Sequence, residues 1–204
     1  MKKNKQKLLN LTTMALFTAL IVVMSLTPIG YLKIGLIEIS FIMIPVAVGG
    51  MLLGPWYGAA LGGIFGISSF IQCFGTSAFG TMLMGVNPVY TAILCIVPRI
   101  LAGFLPALFF KLMYRKGKKS NIFSFAVSSI SAALLNTVLF IGTLILLFWN
   151  TPEIASIAES LGATNIFAFA AGFAGVNALV EAAVCLFVGT AVGKALVTVK
   201  EKME

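Results

Sequence analysis

Between Phe41 and Phe110 the chain carries a single charged side chain, Arg99. No water-facing surface can be assembled from such a stretch, because a soluble fold must cover its core with polar groups. A lipid bilayer accepts it: ~20 mostly apolar residues, wound as a helix that satisfies its own backbone, cross the ~30 Å hydrocarbon layer. With 60% hydrophobic and 10% charged residues in 204, the chain has material for about six such crossings. The fold class expected is an all-α integral membrane protein, one six-helix domain over residues 1–204, with its N- and C-termini cytoplasmic. Any energy source or signalling module would belong to another chain.

Local signals divide the apolar sequence into spans at about 8–27, 37–54, 56–72, 88–113, 122–149 and 166–193, each close to the length a bilayer needs. Pro28 ends the first, since proline cannot continue a helix comfortably. Gly30–Ser40 reads as an extended stretch. Gly54-Pro55 breaks the run from Phe41 to Ile71 into two short helices, and Gly75–Gly85, rich in Gly, Ser and Thr, reads as a connector. Asn87-Pro88 supplies an N-cap and a first-turn proline for the fourth span. Thr151-Pro152-Glu153 stops the fifth, and a connector leads to Asn165. The apolar N-terminal run lacks a small-x-small cleavage site and reads as a retained helix, not a signal peptide.

The net charge of +8 does not form a stripe that could track nucleic acid. Lys2, Lys3, Lys5 and Lys7 precede the first span, Lys111 to Lys119 fill one break, and Lys194, Lys200 and Lys202 close the chain. With six spans all three clusters fall on the cytoplasmic side, as the positive-inside rule requires. No internal repeat of the kind that builds large secondary carriers is visible.

Histidine and aspartate are both absent. Zinc hydrolases, phospho-aspartate pumps and Ser-His-Asp designs are thereby excluded, and no metal or cofactor is expected. Cys73, Cys95 and Cys185 each stand alone in apolar sequence and read as buried thiols. Gly189-Thr-Ala-Val-Gly193-Lys194 is one residue too short for a phosphate-binding loop, and Ala195 replaces the magnesium-binding hydroxyl.

Small residues at four-residue spacing let helix backbones approach in lipid. Ala15 and Ala19 form one such pair, Gly58, Gly62 and Gly66 a series, and Gly189 and Gly193 another pair. Packing within the chain accounts for the glycines. Polar groups inside spans say more, since each costs ~2.5–3.5 kcal/mol or more if uncompensated. Arg99 is central in the fourth span, Asn136 in the fifth and Glu181 in the sixth; Asn177 shares the Glu181 face. Ser128, Ala132 and Asn136 make one small polar stripe. Two overlapping readings result: an Arg99–Glu181 ion pair with asparagine cross-links, or a polar cavity walled by the last three spans.

Taken together, these features resemble the substrate-binding (S) components of energy-coupling-factor (ECF) transporters, prokaryotic vitamin-uptake proteins of the cell membrane. The resemblance covers nearly the whole chain: the basic N-terminus, Ala15-x-x-x-Ala19, the outer loop, six spans and the basic tail. Phe79-Gly80 through Asn87-Pro88 to Val97-Pro98-Arg99, then Leu135-Asn136-Thr137 and Asn177-Ala-Leu-Val-Glu181, look like the pantothenate, folate and riboflavin branch. The resemblance implies a high-affinity vitamin-binding subunit that works with a transmembrane coupling protein and two cytoplasmic ATPases, through docking at Ala15 and Ala19. It places the pocket between the outer loop, with Tyr31, Lys33 and Glu38 as gate, and the last three spans. Arg99, Asn136, Asn177, Glu181, Gln72, Asn87 and Tyr90 are the substrate-binding candidates.

Arg99 suits an anionic cargo, because guanidinium can hold a carboxylate through two parallel hydrogen bonds. Cobalt and nickel are disfavoured without imidazole, and thiamine, a cation, fits poorly. Pantothenate, with a carboxylate, an amide and two hydroxyls, is the cargo expected. Folate or riboflavin are the rivals within the family, with Tyr31, Tyr90 and Trp149 as possible ring platforms. Outside it, the alternative is an autonomous carrier that titrates Glu181 against Arg99.

Overall fold

A computed structural model describes residues 2–28, 30–34, 37–114 and 121–203, and these are helical apart from one short hairpin. The helices are α1 (Lys2–Leu26), α2 (Met43–Leu53), α3 (Pro55–Gln72), α4 (Ala78–Val86), α5 (Pro88–Met113), α6 (Asn121–Phe148), α7 (Pro152–Ser160), α8 (Ile166–Val184) and α9 (Thr190–Met203). One π-helical turn, Cys185–Gly189, joins α8 to α9 without a break in the rod. Strands β1 (Tyr31–Ile34) and β2 (Ile37–Ser40) pair antiparallel between α1 and α2, with Lys33 opposite Glu38. The side chains of those two residues lie outside the described set.

Among the described residues, four helices are long and apolar enough to cross a membrane: Gln6–Leu26, Pro88–Met113, Ile122–Phe148 and Ile166–Lys202. Their outward faces carry large apolar side chains, among them Leu146, Phe167, Val176 and Leu179, each more than 70% exposed. Such a surface is stable against lipid and would aggregate in water. The α2 and α3 helices have 11 and 18 residues, and α2 is buried along most of its length. Helix α2 therefore behaves as a core element surrounded by the longer helices.

Several expected boundaries move. The second span was expected from residue 37, but Ile37–Ser40 is strand: its β-branched alternation and the return of Phe41 N–H to Gly30 C=O (3.0 Å) favour the hairpin. The Gly75–Gly85 connector contains α4, started by Ser77, whose hydroxyl accepts from Gly80 N–H. The connector before Asn165 contains α7, with Pro152 in its first turn.

The tightest packing joins α3 to α5. Gly58 and Gly103 face each other so closely that a Cβ on either would strike the carbonyl oxygen of the other, and a Cβ on Gly62 would strike the carbonyl of Arg99. Glycine there lets two backbones touch in a lipid setting, where dispersion and close approach replace the hydrophobic drive. This contact fixes the height of Arg99 in the bundle. Gly189 meets Ser129 of α6 and Gly193 meets Met51 of α2, so the second glycine pair packs internally too.

The two ends of the bundle differ. At one, Lys200 Nζ donates to Leu52 C=O (2.7 Å), Tyr114 donates to Glu201 (3.0 Å), and a groove gathers Leu9 and Thr13 of α1 with Leu196 of α9. The first half of α1 and the helix α9 meet there. At the other, Gln72 Nε2 donates to Ser25 C=O (3.0 Å) and Ser40 N–H donates to Glu181 (2.7 Å).

Candidate binding cavity

At that second end, α3, α4, α5, α6 and α8 enclose a cavity of about 130 Å³, roofed by Tyr31 and Ser40 of the hairpin. Arg99, Asn136, Asn177, Glu181 and Gln72, which stand far apart in sequence, all line it.

The position of Arg99 follows from its neighbour. Pro98 has no N–H, so the carbonyl four residues earlier, Leu94, loses its helical donor. Arg99 Nη1 donates to that carbonyl at 2.8 Å, replacing the lost bond. The guanidinium then lies 4.7 Å from the Phe140 ring centre and 5.5 Å from that of Phe65, within the range of cation–π attraction. It is buried, its Nε has no hydrogen-bond partner, and no ion pair reaches it among the described residues. Of the two readings, the Arg99–Glu181 ion pair does not form among the described residues: Arg99 is held by a carbonyl and two rings, while Glu181 accepts from Ser40 N–H. Both charges border the cavity without closing on each other.

The amides complete a polar lining. Asn136 Oδ1 and Asn177 Nδ2 are buried and have no partner, leaving one acceptor and one donor ready for a ligand. Gln72 uses one donor to tie α3 to α1. Phe65, Phe79, Phe140 and Phe173 supply apolar walls.

Two candidates stand elsewhere. Asn87 is the N-cap of α5, its Oδ1 accepting from Val89 and Tyr90 N–H at 3.0 and 3.1 Å, and it does not line the cavity. Tyr90 faces outward and packs edge-on to Phe148. Trp149 packs edge-on to Phe169, away from the cavity lining. The expected polar stripe on α6 also divides: Ser128 donates to Pro106 C=O (2.9 Å) and Ala132 is core, so Asn136 alone of the three reaches the cavity. Ala15 and Ala19 are exposed on α1, beside Leu16 and Leu20, while Phe17 and Ile21 face the core.

The walls were not foreseen. Ser40, Thr91 and Phe140 border the cavity, but a phenylalanine facing a ligand is spelled like one facing lipid. Pro98-Arg99 was the available signal for Phe140, since a buried guanidinium needs an aromatic face or an anion.

An apolar helical bundle with a buried polar cavity under a hairpin defines a membrane protein that binds a small solute. Residues 9–192 match the family described as ECF transporter, substrate-specific component, and the chain belongs to that family. It is a multi-pass membrane transport component and not an enzyme. The chain is 28% identical over 212 residues to the pantothenate transporter PanT of Leuconostoc mesenteroides subsp. mesenteroides, covering 99% of this chain and 98% of that one. It is 25% identical over 207 residues to the pantothenic acid transporter PanT of Lactococcus lactis subsp. cremoris, covering 96% of each.

Proposed function

We propose that the chain is the pantothenate-binding subunit of an ECF-type uptake system, with six membrane passages and both ends in the cytoplasm. The observation that carries the cargo is Arg99, a buried cation whose Nε lacks a partner, at the wall of a cavity. Burying a charge without an ion pair is costly, and an anionic cargo removes that cost. The pantothenate carboxylate would take Arg99. Its hydroxyls and amide would pair with Asn136, Asn177 and Gln72, and its dimethyl carbon would pack against the phenylalanines. The naming of both relatives for pantothenate supports the same choice.

Uptake then depends on partners: a transmembrane coupling protein that docks on the Ala15–Ala19 face and two cytoplasmic ATPases. The test is accumulation of labelled pantothenate by cells that make this chain with or without those three proteins. Accumulation only when all are present is expected. Equal accumulation by the chain alone, abolished by collapsing the proton gradient, would show an autonomous carrier instead.

A further inference from the structure

Two cysteines that the sequence separates meet at the cavity wall. Cys73, the C-cap of α3, and Cys95, in the second turn of α5, place their sulfurs 3.7 Å apart. Both are reduced, and both line the cavity. Cys185 is buried in the main core and does not line it. Although Cys73 and Cys95 are shielded from bulk solvent, a small polar reagent able to enter the cavity reaches their sulfurs.

Closing this pair to an S–S bond of about 2.05 Å requires the sulfurs to approach by about 1.7 Å. The helices cannot supply it, because Gly66 of α3 already packs so closely that a Cβ there would lie 2.8 Å from Ile96 Cα of α5. The movement falls to Cys73, which stands at the end of its helix before a turn containing Gly75 at φ 132°.

We infer that Cys73 and Cys95 form a dithiol modification site in the cavity wall, which a small two-electron thiol oxidant converts to a disulfide and which bound cargo shields. With diamide, one thiolate adds to the N=N bond. The second attacks the resulting sulfenyl sulfur, the S–S bond forms as S–N breaks, and the reduced hydrazine leaves with both thiol protons. The bond ties the end of α3 to α5 one helical turn before Arg99, so it acts on the cavity directly. The shielding half of the inference rests on the cargo reading above; the bond-forming half does not.

The test treats the purified full-length protein with diamide, then denatures, alkylates, digests and weighs the peptides. The expected product is one intramolecular disulfide joining the Cys73 and Cys95 peptides, lighter by two hydrogen atoms, with Cys185 alkylated. C185S should form it as the unaltered chain does, and C73S and C95S should not. Full alkylation of Cys73 and Cys95 after diamide, or a bond to Cys185, overturns the site. Pantothenate at about ten times its Kd leaves about a tenth of the protein empty, and should slow the bond about tenfold. An unchanged rate in protein that demonstrably binds pantothenate overturns the shielding. Cross-linking in protein that does not bind pantothenate upholds the dithiol and refutes the cargo reading alone.

Discussion

Arg99 shows how one residue can be fixed by its neighbour and still be available. Pro98 frees the Leu94 carbonyl, Arg99 fills it with one nitrogen, and the remainder of the guanidinium lies against Phe140 with Nε unused. Arg99→Ala removes the charge and should weaken pantothenate binding at least tenfold, ~1.4 kcal/mol or more. Arg99→Lys should recover only part, since an ammonium is a point charge without the planar fork. Calorimetric titration of the two variants checks both statements. If Arg99→Ala binds as tightly as the unaltered protein, the carboxylate lies elsewhere. Single residues of this kind were legible in sequence because a polar group in an apolar run stands out. Arg99, Asn136, Asn177 and Glu181 stood out in that way, whereas the Glu181–Ser40 bond spans 141 residues and left no local trace. Asn87 carried two readings, N-cap and substrate candidate; its Oδ1 caps α5 and the residue does not line the cavity.

Among elements, the α3–α5 crossing depends on glycines that touch backbone, and other glycines do not. Gly103→Val would drive a side chain into Gly58 and should destabilise by about 1–3 kcal/mol. Gly142 has open space where its Cβ would stand, so Gly142→Ala should be neutral or stabilise by up to about 1 kcal/mol, because alanine favours the helix. Thermal unfolding in detergent followed by circular dichroism reads both, and equal losses in the two variants would contradict this account of the crossing. On α1 the exposed alanines make a different kind of small face. Replacing Ala15 and Ala19 together with Trp should abolish uptake and leave binding by the isolated protein unchanged; normal uptake by that variant would remove the docking assignment. The long helices were readable from apolar length and proline stops. The short α4 and α7 were not, because nine residues give too little periodicity, and only Ser77 and Pro152 marked their starts.

The whole molecule has one end where α1 meets α9 beside Lys200, and another where a hairpin roofs a polar cavity. If the first end is cytoplasmic, cysteines placed at Glu159 and at Gly117 should react with an impermeant reagent from opposite sides of the membrane. Labelling from the same side would contradict six passages. The sequence could count apolar runs and basic clusters, but it could not show that α2, with 11 residues, is buried along most of its length. Nor could it show that five helices and a hairpin converge on one cavity, since that depends on backbone contacts such as Gly62 against Arg99. The central claim is that this cavity holds pantothenate. Titrating the purified protein with pantothenate, folate, riboflavin and biotin tests it most directly: saturable binding of pantothenate alone is the predicted result, and tight binding of folate or riboflavin without pantothenate would contradict it.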